Sequence, residues 1–200
     1  MTIIKEKNAL RLALFLDVQS FYIGLYKSYP DAHVDLAKLV DWLQYRAKAG
    51  FGVGTHCYMD EVFYDDDELT PFQRNLESFF SHIKKQPAVF SYFFPQEFEY
   101  ITCDHCQTDN LSPVRRELHI AVASHMIQLA HSDAYDRAVL ISDHAEYSHV
   151  LKSLQWMGKQ IYVANWGKVA PDLKAASFQC IDLNRGLGNF VITQEQPGNN

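Results

Sequence analysis

The chain has little of what would mark a secreted, membrane-borne or fibrous protein. Its 200 residues hold four cysteines (Cys57, Cys103, Cys106 and Cys180), too few and too scattered for a disulfide framework. No stretch approaches the roughly 18 consecutive apolar residues of a membrane span. Residues 1–8 carry Lys5, Glu6 and Lys7 and have no apolar core ahead of a cleavage site, unlike a secretory leader. These absences lead us to expect reduced thiols, a cytoplasmic location and no membrane partner. Positive charge is not in excess either. Eighteen Lys and Arg stand against 24 Asp and Glu, a net charge of -6, so broad electrostatic capture of nucleic acid is not advertised. A local basic groove is still compatible with that balance. There is no internal repeat, and no G-x-G-x-x-G or Walker loop follows the first strand, which counts against a nucleotide-binding doubly wound protein.

What is there reads as an ordinary globular domain, 48% hydrophobic and 21% charged. A chain of this length buries roughly 70% of its unfolded surface and needs no staples. Residues 10–16 (LRLALFL) form a continuous apolar run ending at Asp17, as expected for a strand covered on both faces. Helical spacing follows over residues 35–49, with Asp35 as N-cap and Gly50 as the stop. Residues 54–63 predict a second strand. The acidic run at Asp65, Asp66, Asp67 and Glu68 lacks calcium-loop spacing and reads as a solvated loop before a helix opening at Pro71. Residues 88–94, 137–142, 160–164 and 178–183 predict further strands, and residues 114–130 and 145–157 predict helices, the last ended by Gly158. Residues 95–113 read as the longest irregular segment. Alternating strands and helices predict a parallel sheet, with ligands outside the carboxyl ends of its central strands.

Three segments resemble the NYN domain family, PIN-like nucleases that include the LabA-like bacterial proteins. The first is ALFLDVQSFY (residues 13–22), where the family has a strand, Asp, two residues, Asn and an aromatic. The second is RELHIAVASHMIQL (116–129), similar to the family helix K-G-V-D followed six residues later by Asp. The third is YDRAVLISDHAEYSHVLKSLQWMGKQIYVANW (135–166), similar to a stretch containing S-G-D-x-D-F, a helix, Gly-Lys and a strand. Residues 173–183 also resemble the family's closing helix and strand. The resemblance implies a three-layer α/β/α PIN-like domain with a mostly parallel central sheet over residues 1–185, and the Gly-, Asn- and Gln-rich composition after Arg185 predicts a flexible tail over 186–200.

Taken position by position, the family's first Asp is Asp17 and its Asn is Ser20. The helix Asp positions carry His119 and His125. Ser142 is retained; Asp143, His144, Glu146 and Tyr147 stand where the family has Gly, Asp, Asp and Phe. The resemblance therefore implies a site of Asp17, His119, His125, His144 and Glu146 as catalytic or metal-binding groups. Ser20, Ser142, Arg115 and Arg116 are the substrate-side candidates.

Clustered carboxylates in the family imply magnesium or manganese. Three imidazoles in place of three carboxylates remove about three negative charges and supply nitrogen donors, which favours zinc or manganese over magnesium. Three readings follow. A transition metal could serve phosphodiester hydrolysis. Paired histidines could act as base and acid on an RNA 2′-hydroxyl, since imidazole titrates near pH 6.5. Or the domain binds RNA or a protein without cutting, as a silent module. Histidine at three pocket positions and Glu at a fourth favours a rebuilt site over decay. The leading expectation is a metal-dependent ribonuclease, a hydrolase with RNA as partner and with a homodimer or protein partner left open.

Local readings temper this. His119 and His125 are six residues apart, about 120° off a shared helical face. His125 shares its face with Leu118, Val122 and Leu129, as a core histidine would. Asp143 could cap a helix or serve as a ligand, and His149 lies one turn past Glu146. Cys103-x-x-Cys106 is half of a zinc-ligand pattern, but no other Cys or His stands at motif spacing, and the pair reads rather as two free thiols in a loop. Lys84-Lys85 and Arg115-Arg116 are basic pairs that suit phosphate contact or a solvated face. Aromatics near the loops, including Tyr92, Phe94 and Trp166, suit base stacking or strand core.

Overall fold

The computed structural model describes residues 9–30, 32–61, 70–103 and 105–192; the acidic run at 65–68 lies outside them. In chain order the first half contains β1 (Arg11–Asp17), α1 (Val18–Ser28), β2 (His33–Val34), α2 (Leu36–Arg46), β3 (Phe51–Glu61), α3 (Pro71–Ile83), β4 (Val89–Pro95), β5 (Glu97–Thr102) and β6 (Asp109–Val114). The second half contains α4 (Arg116–His131), β7 (Arg137–Ile141), α5 (Ser148–Trp156), β8 (Gln160–Asn165), α6 (Pro171–Ala175), β9 (Gln179–Asp182), α7 (Leu187–Phe190) and β10 (Val191–Ile192).

Six strands make one sheet in the order β4-β3-β1-β7-β8-β9, and every neighbouring pair is parallel. The period of two along β1 sends Leu12, Leu14 and Leu16 to one face and Ala13 and Phe15 to the other. The first face packs under α1, α2 and α3 with Phe21, Leu39, Leu43 and Ile83. The second packs under α4, α5 and α6 with Leu118, Val122, Met126, Leu151 and Leu173. This is the three-layer arrangement expected.

Local chemistry sets the helix ends. The helix opens at Pro71, as the sequence predicts, and Thr70 and Gln73 form a reciprocal capping box on either side of it. Gly158 ends α5 with a φ of 78°, a left-handed turn that a side chain would strain. Gly50 does not stop α2, which ends at Arg46; the left-handed residue there is Lys48, with a φ of 51°.

Two segments depart from the sequence reading. Residues 95–113 are not irregular: β5 and β6 pair antiparallel as a separate two-stranded arm. Nor does the chain fray at 186. Phe190 is fully buried against Trp42 and Trp166, and β10 pairs with β2. Hydrophobic anchoring thus outweighs the Gly- and Asn-rich composition of the segment through Ile192.

The sheet order places β1 at the point where the chain turns from the β3–β4 side to the β7–β8–β9 side. In open parallel sheets this point opens a crevice at the carboxyl ends of the strands. Asp17 ends β1, Asp60 lies one residue from the end of β3, Ser142 follows β7 and Asn165 ends β8.

Candidate functional site

The centre of the crevice is a buried ion pair. Asp17 has no solvent exposure and also caps α1. Its Oδ1 accepts from the Ser20 amide at 3.1 Å and from Arg115 Nη2 at 2.7 Å. Its Oδ2 accepts from the Ser20 hydroxyl at 2.7 Å and from Arg115 Nη1 at 2.9 Å. A carboxylate offers about four lone-pair positions, so these donors occupy its accepting capacity. Arg115 also donates from Nε to Asp60 Oδ2 at 2.6 Å and from Nη1 to the Ser20 hydroxyl at 3.2 Å. One guanidinium therefore bridges two buried carboxylates, the geometry for which Arg is suited and Lys is not.

The electrostatics follow from this bridge. Burial pushes the Asp17 carboxyl up, but the charge and hydrogen bonds of Arg115, with those of Ser20, outweigh it and hold the group below the usual carboxylate range. Burial pushes Asp60 up as well, and there the single Arg115 contact does not overcome it. Asp17 is thus the carboxylate that Arg115 keeps ionised.

Two histidines close the mouth of the crevice. His119, in the first turn of α4, and His144, in the loop after β7, have ring centroids 4.2 Å apart. His144 Nε2 lies 3.7 Å from Asp17 Oδ2 and 3.4 Å from the Ser20 hydroxyl. The ligand atoms of Asp17, His119 and His144 all lie within 4.8 Å of one another, the one such group among the described residues. His119 Nε2 is buried and has no hydrogen-bond partner, and neither does the hydroxyl of Tyr147, whose ring meets His119 edge-on at 5.4 Å. Burial, then the nearby His144 and Arg115, keep His119 below the ordinary histidine range, so it stands neutral near pH 7.

The other expected residues separate from this cluster. His125 points away, to the β3–β4 side of α4: its Nδ1 is 3.0 Å from the Tyr58 hydroxyl and its ring centroid 4.6 Å from that of Tyr92. The six-residue spacing that divides the two histidines on the helix explains the split. Glu146 is exposed and reaches His144 Nδ1 at 3.8 Å from outside the crevice. Asp143 is exposed, 3.9 Å from His144 Nε2, and Ser142 Oγ accepts from the His144 amide at 3.3 Å. Arg116 leaves the site and pairs with Glu99 on the two-stranded arm. Arg115 pairs with Asp17 and with Asp60, a partner 55 residues away that sequence spacing does not supply.

Beside the cluster runs an open cleft of about 540 Å³ lined by Ser20, Lys27, Arg115, His144, Trp166 and Lys168, among others. Lys27 and Lys168 are exposed. Trp166 is held by its indole N–H, which donates to the Phe21 carbonyl at 2.8 Å, and Gly24 leaves room for its ring, since a Cβ there would come within 2.3 Å of it. Among the described residues no helix is long and apolar enough to cross a membrane.

A divalent ion has mixed prospects in this crevice. The unpartnered His119 Nε2, with His144 beside it, is a nitrogen donor set that suits zinc-class ions, and only with a carboxylate oxygen added does the set suit manganese. The Asp17 carboxylate, saturated by Arg115 and Ser20, could contribute only by giving up one of those bonds.

Known proteins place the fold. The chain is similar to a Vibrio parahaemolyticus protein of unknown function whose crystal structure superposes with a TM-score of 0.60 at 17% identity, covering 94% of this chain and all of the other. A UDP-bound structure of LpCGTa is far more distant, with a TM-score of 0.26 at 10% identity over 78% of this chain and 31% of the other. No curated protein matches in sequence. The NYN domain model matches residues 11–184, which takes in every strand of the central sheet and the whole crevice. The chain belongs to the NYN domain family, whose members are typically nuclease-like.

Proposed function

We propose that this chain is a phosphodiesterase acting on RNA through a site rebuilt on histidine. The observation that carries the reading is the convergence of Asp17, His119 and His144 from three separate elements, with His119 Nε2 buried and without a partner. A desolvated imidazole nitrogen with nothing to bind is unfavourable unless something binds there in the working state. His119 and His144 would hold a zinc-class or manganese ion, with Asp17 at its edge. Such an ion, when bound, supplies an activated water and neutralises phosphate charge.

The chain's own residues supply the rest. Arg115 keeps Asp17 ionised and fixes its direction through a bidentate contact, so the carboxylate orients His144 rather than roaming. His119, neutral through burial, keeps at Nε2 the lone pair that such an ion needs. The Tyr147 hydroxyl, pushed above its ordinary range by burial, stays protonated and can donate into the crevice. Lys27 and Lys168 line the cleft where a phosphate backbone would run, and the Trp166 ring offers a stacking face. A cytoplasmic setting accords with this reading.

A second reading has its own support. The four donors on Asp17 leave the carboxylate little capacity for a metal, as in a binding module that no longer cuts. Manganese titration by calorimetry separates the two, because thiolates elsewhere in the chain hold manganese poorly. The nuclease reading predicts one manganese per chain, with affinity reduced at least tenfold in His119→Ala and His144→Ala. Equal heats in wild type and both variants would leave the binding module as the account.

A further inference from the structure

The β5–β6 arm carries a second cluster with no part in the crevice. Its turn holds Cys103 and Cys106, both as free thiols. The Cys103 carbonyl accepts from the Gln107 amide at 2.8 Å, and the Cys103 amide donates to the Thr108 carbonyl at 2.9 Å. Gln107, directly after the second cysteine, is left-handed with a φ of 55°. These backbone bonds close a tight turn on the segment that carries both cysteines.

A structural zinc site takes four ligands. The described residues bring no third Cys, His, Asp or Glu ligand atom to this pair, and His105, between the two cysteines, does not converge with them. The arm also leaves apolar surface uncovered. Every residue of β5 is exposed. The register pairs Tyr100 with Leu111, and Phe98 lies two residues from Tyr100, so the three share one face. Tyr100 is 78% exposed, Leu111 55% and Phe98 51%. A lone two-stranded ribbon is marginal in water, and packing on a second layer is the usual remedy.

We propose that Cys103 and Cys106 form half of a tetrahedral zinc-class metal site that is completed by the same two cysteines of a second copy of this chain. An isologous pair of arms supplies four thiolates around one ion and covers the apolar face of each ribbon in one step. Thiolate donors select zinc-class ions over magnesium or calcium. Each thiol gives its proton to solvent as its sulfur binds the ion, and no electron is transferred.

The test titrates cobalt into the full-length, reduced chain while sulfur-to-cobalt charge-transfer absorption and sedimentation mass are followed. That absorption reports thiolate ligands alone, so His119 and His144 do not contribute to it. The proposal predicts saturation at about half a cobalt per chain, a shift from monomer to dimer with added metal, and loss of both in Cys103→Ser/Cys106→Ser. Cys57→Ser/Cys180→Ser retains both. Saturation at one cobalt per chain without a mass change overturns the shared site. So does an absence of charge-transfer absorption, or a dimer that persists in Cys103→Ser/Cys106→Ser. Ready oxidation of the reduced pair to a disulfide that blocks cobalt in all conditions overturns it as well.

Discussion

Replacing Arg115 with Met exposes what the buried bridge does. Met keeps most of the side-chain volume and removes the guanidinium, so Asp17 and Asp60, 0% and 2% exposed, face each other with no cation between them. Removing one partner of a buried ion pair destabilises by about 3–5 kcal/mol. For a domain of this size that lowers Tm by roughly 6–20 °C. The pH dependence that Asp17 contributes should invert. In the wild type the Asp17 carboxyl lies below the usual range, so its contribution is present above the unfolded pKa and is lost as pH falls through the folded value. In Arg115→Met both carboxyls rise above their unfolded values. Those two carboxyls then bind more protons in the folded state than in the unfolded one, so relative to the wild type the variant gains stability as pH drops from 7 towards about 5. Manganese or magnesium should recover part of the loss, because a divalent ion can take the position the guanidinium vacates. Urea unfolding at pH 5 and 7, with and without metal, reads all three effects. A variant of wild-type stability, or one whose pH dependence matches the wild type and that ignores metal, would refute the reasoning.

Other outcomes follow from the same coordinates. Gly24→Ala should lower the stability of the α1–Trp166 contact and weaken RNA binding, measured by fluorescence anisotropy, because the new Cβ displaces the ring lining the cleft. Phe190→Ala should destabilise by about 3–5 kcal/mol in urea unfolding, a large effect for a residue so near the C-terminal end of the described chain. His56, brought down to about 4 by burial and then by His125, is neutral in the fold where the unfolded chain is protonated, so stability should fall as pH drops from about 6.5 to 4. His56→Phe should flatten that slope by about 1–3 kcal/mol in acid unfolding titrations. His125→Phe should leave manganese affinity unchanged while disturbing the Tyr58 and Tyr92 packing, in contrast to His119→Ala.

The legibility of this chain varied with how local its signals are. The β1 run, the Thr70–Pro71 helix start and the Gly158 stop are written in consecutive residues, and the folded chain uses them as read. Helix α1 is less visible because Gly24 interrupts it, although Val18, Phe21, Tyr22 and Leu25 have the right spacing for its buried face. The β5–β6 arm faces solvent along the whole of β5, so it lacks the in–out alternation that marks a half-buried strand. In the site, Asp17, His119 and His144 are visible through the family pattern alone. The Arg115 bridge to Asp60 is not, because it joins strand and helix ends 55 residues apart and depends on the parallel register of β1 and β3. His125 carries the family position but faces the aromatic side of α4, which only the rotation of the helix in the fold decides.

The most direct test of the histidine site is cleavage of a labelled single-stranded RNA by the full chain with manganese, zinc, magnesium or chelator, beside His119→Ala and His144→Ala. The account predicts cleavage with manganese or zinc that is lost with chelator and in both variants. Cleavage that survives chelator and both substitutions, or a wild type that binds the RNA and leaves it intact with every ion, would contradict it.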